Sequence, residues 1–308
     1  MAPATPDIST VICTYNRSHL LRKSLLAFQN MESTDAAEII VVDNNSTDDT
    51  RDVVLECQGV LANVIPVTYL REQVQGLSVA RNAGITAARG KIIAFLDDDA
   101  IPSERWLTGM KTLFESHPDA MALGGPIEPN FEIPRPDWLT KDFEGPYTIL
   151  DFGEDVIEFP KNRWPFGASL AFRGEVFRKH RFAEHLGRKG DMLLSDEETW
   201  ILRTLAAEGG KIYYVPDMRV KHFIPKQRLT RDWIRERYYY GGMSKAFAAR
   251  GALQTAKLVF ITILKLLYLY GKGVLPVMGD PFVDECRLRS CRGAFEGLKM
   301  KYGAGAAS

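Results

Sequence analysis

A short apolar run that ends in three consecutive aspartates constrains the fold of this chain more than any other feature. The run from Lys91 to Leu96 (KIIAFL) is apolar after its first residue, which is typical of a strand buried on both faces of a sheet. Asp97, Asp98 and Asp99 follow it directly. Because aspartate is a poor strand residue and adjacent carboxylates repel one another, we expect the aspartates to lie in a loop at the carboxyl end of this strand.

The segments before this run repeat the arrangement of a β-branched strand, a polar loop and a helix. Further strands are predicted at Ile8–Cys13, Glu38–Val42 and Val64–Leu70. Such alternation predicts an α/β fold with a mostly parallel sheet covered by helices. Ligands of open α/β sheets bind beyond the carboxyl ends of the strands, so the loops at Tyr15–Arg17, Asp43–Ser46 and Asp97–Asp99 are expected to converge on one crevice.

The middle of the chain has a different composition. Residues 126–165 are rich in proline and aromatic residues and show little periodicity, which predicts a long layer of loops. Regular structure is predicted again at Gly167–Phe172 (strand), Glu175–His180 (helix), Glu197–Glu208 (helix) and Lys211–Val215 (strand).

Basic residues are concentrated near the C-terminus although the net charge is zero. Residues 219–272 hold 12 basic and 2 acidic residues, and the stretch before them is acidic. The run Leu258–Tyr270 is apolar except for Thr262 and Lys265 but short of the roughly 20 residues that cross a bilayer, so a buried helix or a helix in the membrane interface is expected. We therefore predict one domain at residues 1–225 and a basic helical extension at 226–308.

The basic extension has two interpretations. Its arginines and aromatic residues suit a peripheral contact with an anionic membrane. Alternatively, they neutralise the acidic domain and help to bind an anionic ligand. No apolar stretch follows the first residues, so we expect a cytoplasmic protein at the inner face of the membrane. No nucleic-acid-binding motif is present, and we expect no nucleic acid as partner.

The aspartate run itself also has two interpretations. Mg²⁺ or Mn²⁺ prefers oxygen ligands and commonly bridges protein carboxylates to phosphates, so a divalent metal would offset the repulsion among the aspartates. Alternatively, the run is a solvated turn before a helix that begins near Ser103. The aspartates alone do not decide between a metal site and a helix cap.

Four motifs in this order resemble the family 2 glycosyltransferases. They are VICTYNR (residues 11–17), IVVDNNSTDDT (40–50), ARNAG (80–84) and FLDDD (95–99). The resemblance covers about residues 7–225. It implies the GT-A fold, a mostly parallel Rossmann-like sheet flanked by helices that binds a nucleoside-diphospho-sugar donor.

Within this resemblance, the first two motifs are implied to bind the donor nucleoside. Thr14, Tyr15 and Arg17 would frame the nucleoside, and Asp43 would hold its base, with Asn45 in the same donor-binding loop. An ordinary turn-forming role remains open for Asp43.

The third and fourth motifs are implied to bind the diphosphate and the metal. Arg81 would lie near the ribose and diphosphate, with a helix-surface arginine as the alternative. Asp97 would lie near the ribose or the metal, Asp98 would belong to the donor site, and Asp99 would bind the metal directly. General chemistry also favours a cation at this place, because a diphosphate leaving group needs one to take up its developing charge.

The base of an inverting transfer is expected at the start of the predicted helix Glu197–Glu208. The segment from Ser195 to Arg203 resembles the family's acidic pair before a helix, which aligns with Glu197 and Glu198 and makes Glu198 the candidate base. Asp196 stands where glycine is frequent in the family, so the register is open by one residue. These carboxylates alternatively complement the helix N-terminus.

The element from Tyr214 to His222 resembles a strand and turn of the family that ends in Val-x-His. His222 is thereby implied to complete the metal shell, with a structural histidine as the alternative. The chain is predicted to transfer a sugar to a glycan or lipid-linked acceptor of a surface or exported polysaccharide. A nucleotidyltransferase of sugar phosphates and a non-catalytic sugar-nucleotide-binding scaffold remain as alternatives.

Overall fold

The predicted strands assemble into one large sheet in the computed structural model of the chain, which describes residues 5–274 and 280–303. The strands are β1 (Ile8–Thr14), β2 (Ala37–Asp43), β3 (Val67–Arg71), β4 (Ile92–Leu96), β5 (Ala100–Pro102), β6 (Ala120–Gly124), β7 (Ile127–Phe131), β8 (Ile157–Glu158), β9 (Ser169–Arg173), β10 (Lys211–Tyr214) and β11 (Val220–Ile224). The helices are α1 (Ser18–Leu26), α2 (Thr50–Leu61), α3 (Leu77–Ala87), α4 (Trp106–Ser116), α5 (Val176–Lys179), α6 (Glu197–Ala207), α7 (Arg231–Ala248), α8 (Gly251–Val274) and α9 (Pro281–Gly303). Short 3-10 turns lie at Ala27–Asn30, Lys141–Phe143, Gly145–Tyr147, Pro216–Met218 and Lys226–Arg228.

The order of strands in the large sheet is β3-β2-β1-β4-β9-β6-β10-β8. The first four of these are parallel neighbours, as predicted, and the register pairs Thr14 with Asp43 at the carboxyl ends of β1 and β2. β9 runs antiparallel to both β4 and β6, so Ser169 at its start pairs with Leu96 at the end of β4. A second sheet has the order β5-β11-β7.

The core lies on both faces of the large sheet, which explains the apolar runs of the sequence. Every residue of β2 and of β4 is buried. Phe95 and Phe172 meet edge to face on neighbouring strands, with ring centroids 6.1 Å apart. On the other side of the core, the indole N–H of Trp106 donates to the Ser169 hydroxyl at 3.0 Å. The polar indole is thus satisfied although its ring is fully buried.

The middle of the chain is mostly irregular, as predicted, but it contains β7 and the two-residue β8. β6 lies between β9 and β10 in the large sheet. The sequence pattern predicts neither β6 nor the three-residue β5. β6 has the sequence AMALG, in which alanine and glycine weaken any strand signal.

The chain forms two compact units by its contacts. The first holds the described residues up to Asn130 together with Thr148–Phe182 and Glu198–Ile224. The second holds Phe131–Tyr147, Ala183–Glu197 and the described residues from Pro225 onward. Two segments that precede residue 226 thus belong to the second unit, and the division at residue 225 stays a prediction.

The second unit is built on helices α7, α8 and α9. Phe282 of α9 packs against Phe143, with ring centroids 5.1 Å apart, and against Trp138 at 5.7 Å. Tyr147 stacks on Trp233 of α7 at 5.1 Å. These rings join the segment 131–147 to the C-terminal helices within one core.

Helix α8 is longer than the sequence pattern indicates. The expectation that it ends before Gly271 is wrong, because α8 runs for 24 residues from Gly251 to Val274. A helical glycine costs only about 1 kcal/mol, which the surrounding turns offset. Among the described residues, one segment, Gly251–Lys272, is long and apolar enough to cross a membrane by length and composition alone. Little of this segment is buried, so the expectation that α8 is a buried helix is wrong.

A glycine on α3 permits close packing of this helix on the sheet, and it provides a test of the fold. A Cβ at Gly84 would lie 2.4 Å from a methyl carbon of Val11 on β1. We expect Gly84→Ala to lower the free energy of unfolding by about 1–3 kcal/mol, because the overpacked core outweighs the better helix propensity of alanine. Chemical denaturation measures the change.

Gly59 in α2 is the matched control for this prediction. It is exposed and has no atom within 4 Å of an added Cβ. Gly59→Ala is therefore expected to raise the free energy of unfolding by about 0.5–1 kcal/mol. Equal effects of the two substitutions would contradict the close contact between α3 and the sheet.

Candidate active site

Asp98 connects the end of β4 to the end of β1. Its carboxylate accepts a hydrogen bond from the Thr14 hydroxyl at 2.8 Å and forms an ion pair with Arg17 at 3.0 Å. Burial raises the pKa of Asp98 to about 6, against the opposing effect of Arg17. The charge of Asp98 in turn raises the pKa of Arg17, which stays cationic. Asp98 thus fixes Arg17 beside the aspartate loop.

Asp99 lies between Arg17 and a histidine of the second sheet. Its two carboxylate oxygens are each 3.0 Å from a partner, one from the Arg17 guanidinium and one from Nε2 of His222. The pairing of His222 with Ala100 across β11 and β5 explains this proximity, since β5 begins directly after Asp99. The hydroxyl of Thr148 lies 3.3 Å from Nδ1 of the same imidazole. Two partners therefore orient the His222 ring.

Asp97, Asp99 and His222 form a group whose ligand atoms all lie within 4.8 Å of one another. Two carboxylates and one imidazole are a suitable donor set for Mn²⁺, and the carboxylates also suit Mg²⁺. Burial raises the pKa of Asp97, with the neighbouring Asp99 acting in the same direction. A cation between these carboxylates would offset both effects, so the donor set fits a divalent metal.

Arg81 of α3 lies between two carboxylates from different parts of the chain. Its side chain is 3% exposed, and its nitrogens lie 3.6 Å from Asp97 and 3.5 Å from Glu198. Its guanidinium also lies over the rings of Phe95 and Phe182, at 5.7 and 5.3 Å from their centroids. The alternative of a helix-surface arginine is wrong, because this side chain is enclosed by charged and aromatic partners.

Glu198 lies in the first turn of α6, close to the aspartate loop. Its Oε1 accepts a hydrogen bond from the backbone N–H of Gly167 at 3.1 Å. A Cβ at Gly167 would lie 2.1 Å from an Arg81 nitrogen and 2.7 Å from Glu198 Oε1. The glycine therefore leaves the space in which Arg81 and Glu198 meet. Two partners thus hold the Glu198 carboxylate at the start of α6: the Gly167 N–H and the Arg81 guanidinium.

The two neighbouring acidic residues differ from Glu198 in their surroundings. Glu197 is the first residue of α6 and is buried. Asp196 has a backbone φ of +74°, in the left-handed region that non-glycine residues seldom adopt. A glycine is common at this position in the family that the sequence resembles, and the left-handed backbone gives that preference a physical reason.

The predicted base-binding loop follows β2. Asp43 accepts a hydrogen bond from Tyr69 at 2.7 Å and one from the Ser46 backbone N–H at 2.8 Å. Burial and the adjacent Asp43 raise the pKa of Tyr69 to about 12, so the hydroxyl stays protonated as the donor. Asn45 has a φ of +68° and accepts from Arg71 at 3.2 Å. The loop is thus fixed by a hydrogen bond of its own and by two from β3.

The loops after β1 and β2 meet directly. The backbone N–H of Asn16 donates to Ser46 at 3.0 Å, and the Asn16 side chain accepts from the Thr47 N–H at 2.8 Å. Tyr15 is 43% exposed beside this junction. The structure therefore brings together the three loops that the sequence predicts to converge, with Asp43 and Asn45 toward β3 and the aspartates toward β9.

Sequence reasoning missed several residues of the site. Thr148 comes from the loop layer, where no motif indicates a partner for His222, and its φ of +61° is not readable from its residue type. Gly167 lies in an apolar segment that gives no hint of its contact with Arg81. Tyr69 is an ordinary strand aromatic in the sequence. These three residues are revealed only by their contacts in the folded chain.

The fold is that of the GT-A class of glycosyltransferases. A mannosyltransferase from Pyrobaculum calidifontis, solved in complex with GDP-Man and Mn²⁺, matches with a TM-score of 0.64 at 18% identity, over 97% of this chain and 89% of that chain. TarS 1-349 of S. aureus, solved with UDP-GlcNAc, matches with a TM-score of 0.54 at 14% identity, over 96% of this chain and 92% of that one.

The chain belongs to glycosyl transferase family 2, whose family model matches residues 9–181. It is 27% identical over 259 residues to a glucosyl-dolichyl phosphate glucuronosyltransferase of Haloferax volcanii, covering 77% of this chain and 76% of the relative. It is 31% identical over 202 residues to a GalNAc(5)-diNAcBac-PP-undecaprenol beta-1,3-glucosyltransferase of Campylobacter jejuni, covering 58% and 62%.

Proposed function

We propose that this glycosyltransferase moves a sugar from a uridine-based nucleoside-diphospho-sugar to a hydroxyl group with inversion at the anomeric carbon. One observation carries the proposal. Arg81 lies 3.6 Å from Asp97, a member of the candidate metal group, and 3.5 Å from Glu198. Arg81 could thus stabilise the negative charge that develops on a diphosphate. Glu198, which lies next to Arg81, could accept the proton that an acceptor hydroxyl releases.

Each chemical role falls to a residue of this chain. The acceptor oxygen forms a bond to the anomeric carbon while the bond from that carbon to the diphosphate oxygen breaks, and the nucleoside diphosphate leaves with the electron pair. Glu198 takes the proton of the acceptor hydroxyl. Arg17 and Arg81 present cationic groups toward the diphosphate, and Asp43 holds the base. A single displacement of this kind inverts the anomeric centre.

A divalent metal, Mg²⁺ or Mn²⁺, fits the group Asp97, Asp99 and His222. When bound, it would stabilise the negative charge of the leaving diphosphate. The Thr148 hydroxyl beside Nδ1 of His222 would fix the ring so that Nε2 faces the metal.

The acceptor is proposed to be a glycan or a lipid-linked glycan of polysaccharide biosynthesis. The names of two relatives, which mention dolichyl phosphate and undecaprenol, support this class. We further propose that residues 1–225 act as the catalytic domain, that residues 226–308 contact an anionic membrane, and that the enzyme works at its cytoplasmic face. Membership of a glycosyltransferase family favours sugar transfer over nucleotidyl transfer and over a binding scaffold.

A thermal-shift screen tests the donor and metal assignments together. We expect UDP-sugars with Mn²⁺ to raise the melting temperature, since ligand at about a hundred times its Kd stabilises the native state by about 2.7 kcal/mol. UDP-sugars without metal, and GDP- or dTDP-sugars with it, are expected to give smaller shifts. A larger shift with a GDP-sugar would overturn the uridine assignment, and equal shifts with and without Mn²⁺ would overturn the metal site.

A further inference from the structure

Helix α8 exposes an apolar face along its length. Leu253, Phe260 and Leu267 follow one another at intervals of seven residues, which places them on one face, and they are 84%, 62% and 63% exposed. The same face also exposes Ile263, Leu264 and Tyr270. This face carries no charged residue. An apolar surface of this size is unusual for a face that meets only water.

The opposite face of α8 packs on α9. Thr262 and Leu269 are buried there. The Thr255 hydroxyl lies 2.9 Å from that of Tyr302 near the end of α9, and the Lys272 ammonium donates to Asp284 near its start at 2.6 Å. The two helices are therefore antiparallel and joined at both ends.

The lysines of α8 lie on one flank, between the exposed apolar face and the face on α9. Lys257, Lys265 and Lys272 are spaced by eight and seven residues, which keeps them within about a quarter turn of one another. Lys257 and Lys265 are exposed. A helix with a charge-free apolar face beside a row of lysines has the pattern of helices that lie along an anionic lipid surface.

The partner helix argues against an orientation across the bilayer. α9 carries charged residues from Asp284 to Lys301, including three arginines between them, and it runs along α8 for most of its length. If α8 crossed the hydrocarbon region, α9 would enter it as well, and Lys265 would lie near its centre. Intramembrane charges are costly.

We propose that α8 lies in the plane of an anionic membrane surface, with the face of Leu253, Phe260, Leu264 and Leu267 in the acyl region and Lys257 and Lys265 at the headgroups. This inference rests on the membrane contact in the proposed function and is independent of the sugar-transfer step. It assigns that contact to one helix and one orientation. Charge complementarity and the uncovered apolar face together identify lipid as the occupant.

Vesicle co-sedimentation of the full chain tests the binding face. We expect binding to vesicles that contain phosphatidylglycerol and weaker binding to phosphatidylcholine alone. Phe260→Ser with Leu264→Ser is expected to weaken binding by about tenfold or more. Leu55→Ser with Val60→Ser is the control, because these side chains are similarly exposed on α2, and it is expected to bind like the parent. Equal loss in both pairs would overturn the proposal.

The lysine flank is tested with Lys257→Gln and Lys265→Gln together. Binding to phosphatidylglycerol vesicles is expected to fall on the order of tenfold at low salt, and binding to neutral vesicles to stay unchanged. Transfer to a soluble acceptor is expected to persist in these variants. Unchanged binding to phosphatidylglycerol vesicles would remove the lysines from the proposed lipid contact, and loss of transfer to a soluble acceptor would contradict the independence of this contact from the sugar-transfer step.

Depth measurements distinguish the in-plane helix from other arrangements. Tryptophan placed singly at Leu253, Phe260 or Leu267 is expected to be quenched by brominated lipids at one common shallow depth. A helix across the bilayer would separate the first and last positions by about 20 Å, which would overturn the orientation. If the face covers a second copy of this chain, a dimer that Phe260→Ser dissociates will appear in lipid-free buffer, and lipid as the occupant is then wrong.

Discussion

Asp99→Asn is expected to lower kcat/KM for sugar transfer by about 10²–10³-fold, the size of effect seen when one charge-stabilising group is removed. Asparagine retains the shape of the side chain. Its oxygen can accept from Arg17 and its amide can donate to Nε2 of His222, both of which are 3.0 Å from Asp99. The variant is thus expected to fold normally while it loses the negative charge that a divalent cation requires. Steady-state kinetics across a Mn²⁺ titration measure the effect.

Asp35→Asn is the matched control for this prediction. Asp35 is exposed before β2, at the opposite edge of the parallel strands from Asp99. The control is expected to keep the parent's activity and its Mn²⁺ response. Parental turnover in Asp99→Asn, or an unchanged Mn²⁺ titration, would remove Asp99 from the metal site.

Glu198→Gln is expected to lower kcat by about 10²–10⁴-fold, the usual contribution of a general base. Glutamine keeps the acceptor for the Gly167 N–H, which lies 3.1 Å from Oε1, and it fits the space beside Arg81. Donor binding is therefore expected to remain near that of the parent while turnover falls. Donor titration in the presence of Mn²⁺ and single-turnover kinetics separate the two quantities.

Two further substitutions test whether Glu198 is the base: one is a control, and the other changes its neighbour. Glu208→Gln removes an exposed carboxylate just beyond the end of the same helix, where it pairs with His180 at 3.2 Å, and is expected to leave kcat unchanged. Glu197→Gln changes the buried neighbour. A larger loss of kcat in Glu197→Gln than in Glu198→Gln, with the fold intact, would move the base by one residue.

The proposed donor half of the site could be predicted from the sequence because its residues follow predicted strands directly. The end of β4 could be placed at Leu96, since a buried apolar strand cannot continue through Asp97, Asp98 and Asp99. Parallel neighbours then bring the ends of β1, β2 and β4 to one edge. Residue type, strand order and the family's motifs act together there.

The remaining features depend on contacts between distant parts of the chain. No local pattern predicts that β11 pairs with β5, yet this pairing places His222 beside Asp99. The space at Gly167 exists because Arg81 and Glu198 approach from segments more than one hundred residues apart. The length of α8 was underestimated because Gly271 is tolerated in a helix held by its neighbour.

The reversed direction of β9 has a consequence for how such an enzyme can diverge. Since Ser169 pairs with Leu96, the chain enters β9 at the same edge at which it leaves β4. The site is therefore assembled from segments that exit strands, early in the chain, and from a segment that enters one, later in the chain. Mutations can accumulate in the entering segment before Gly167, while Gly167 itself and the exiting loops stay constant. The two parts of the site can then diverge independently in this scaffold.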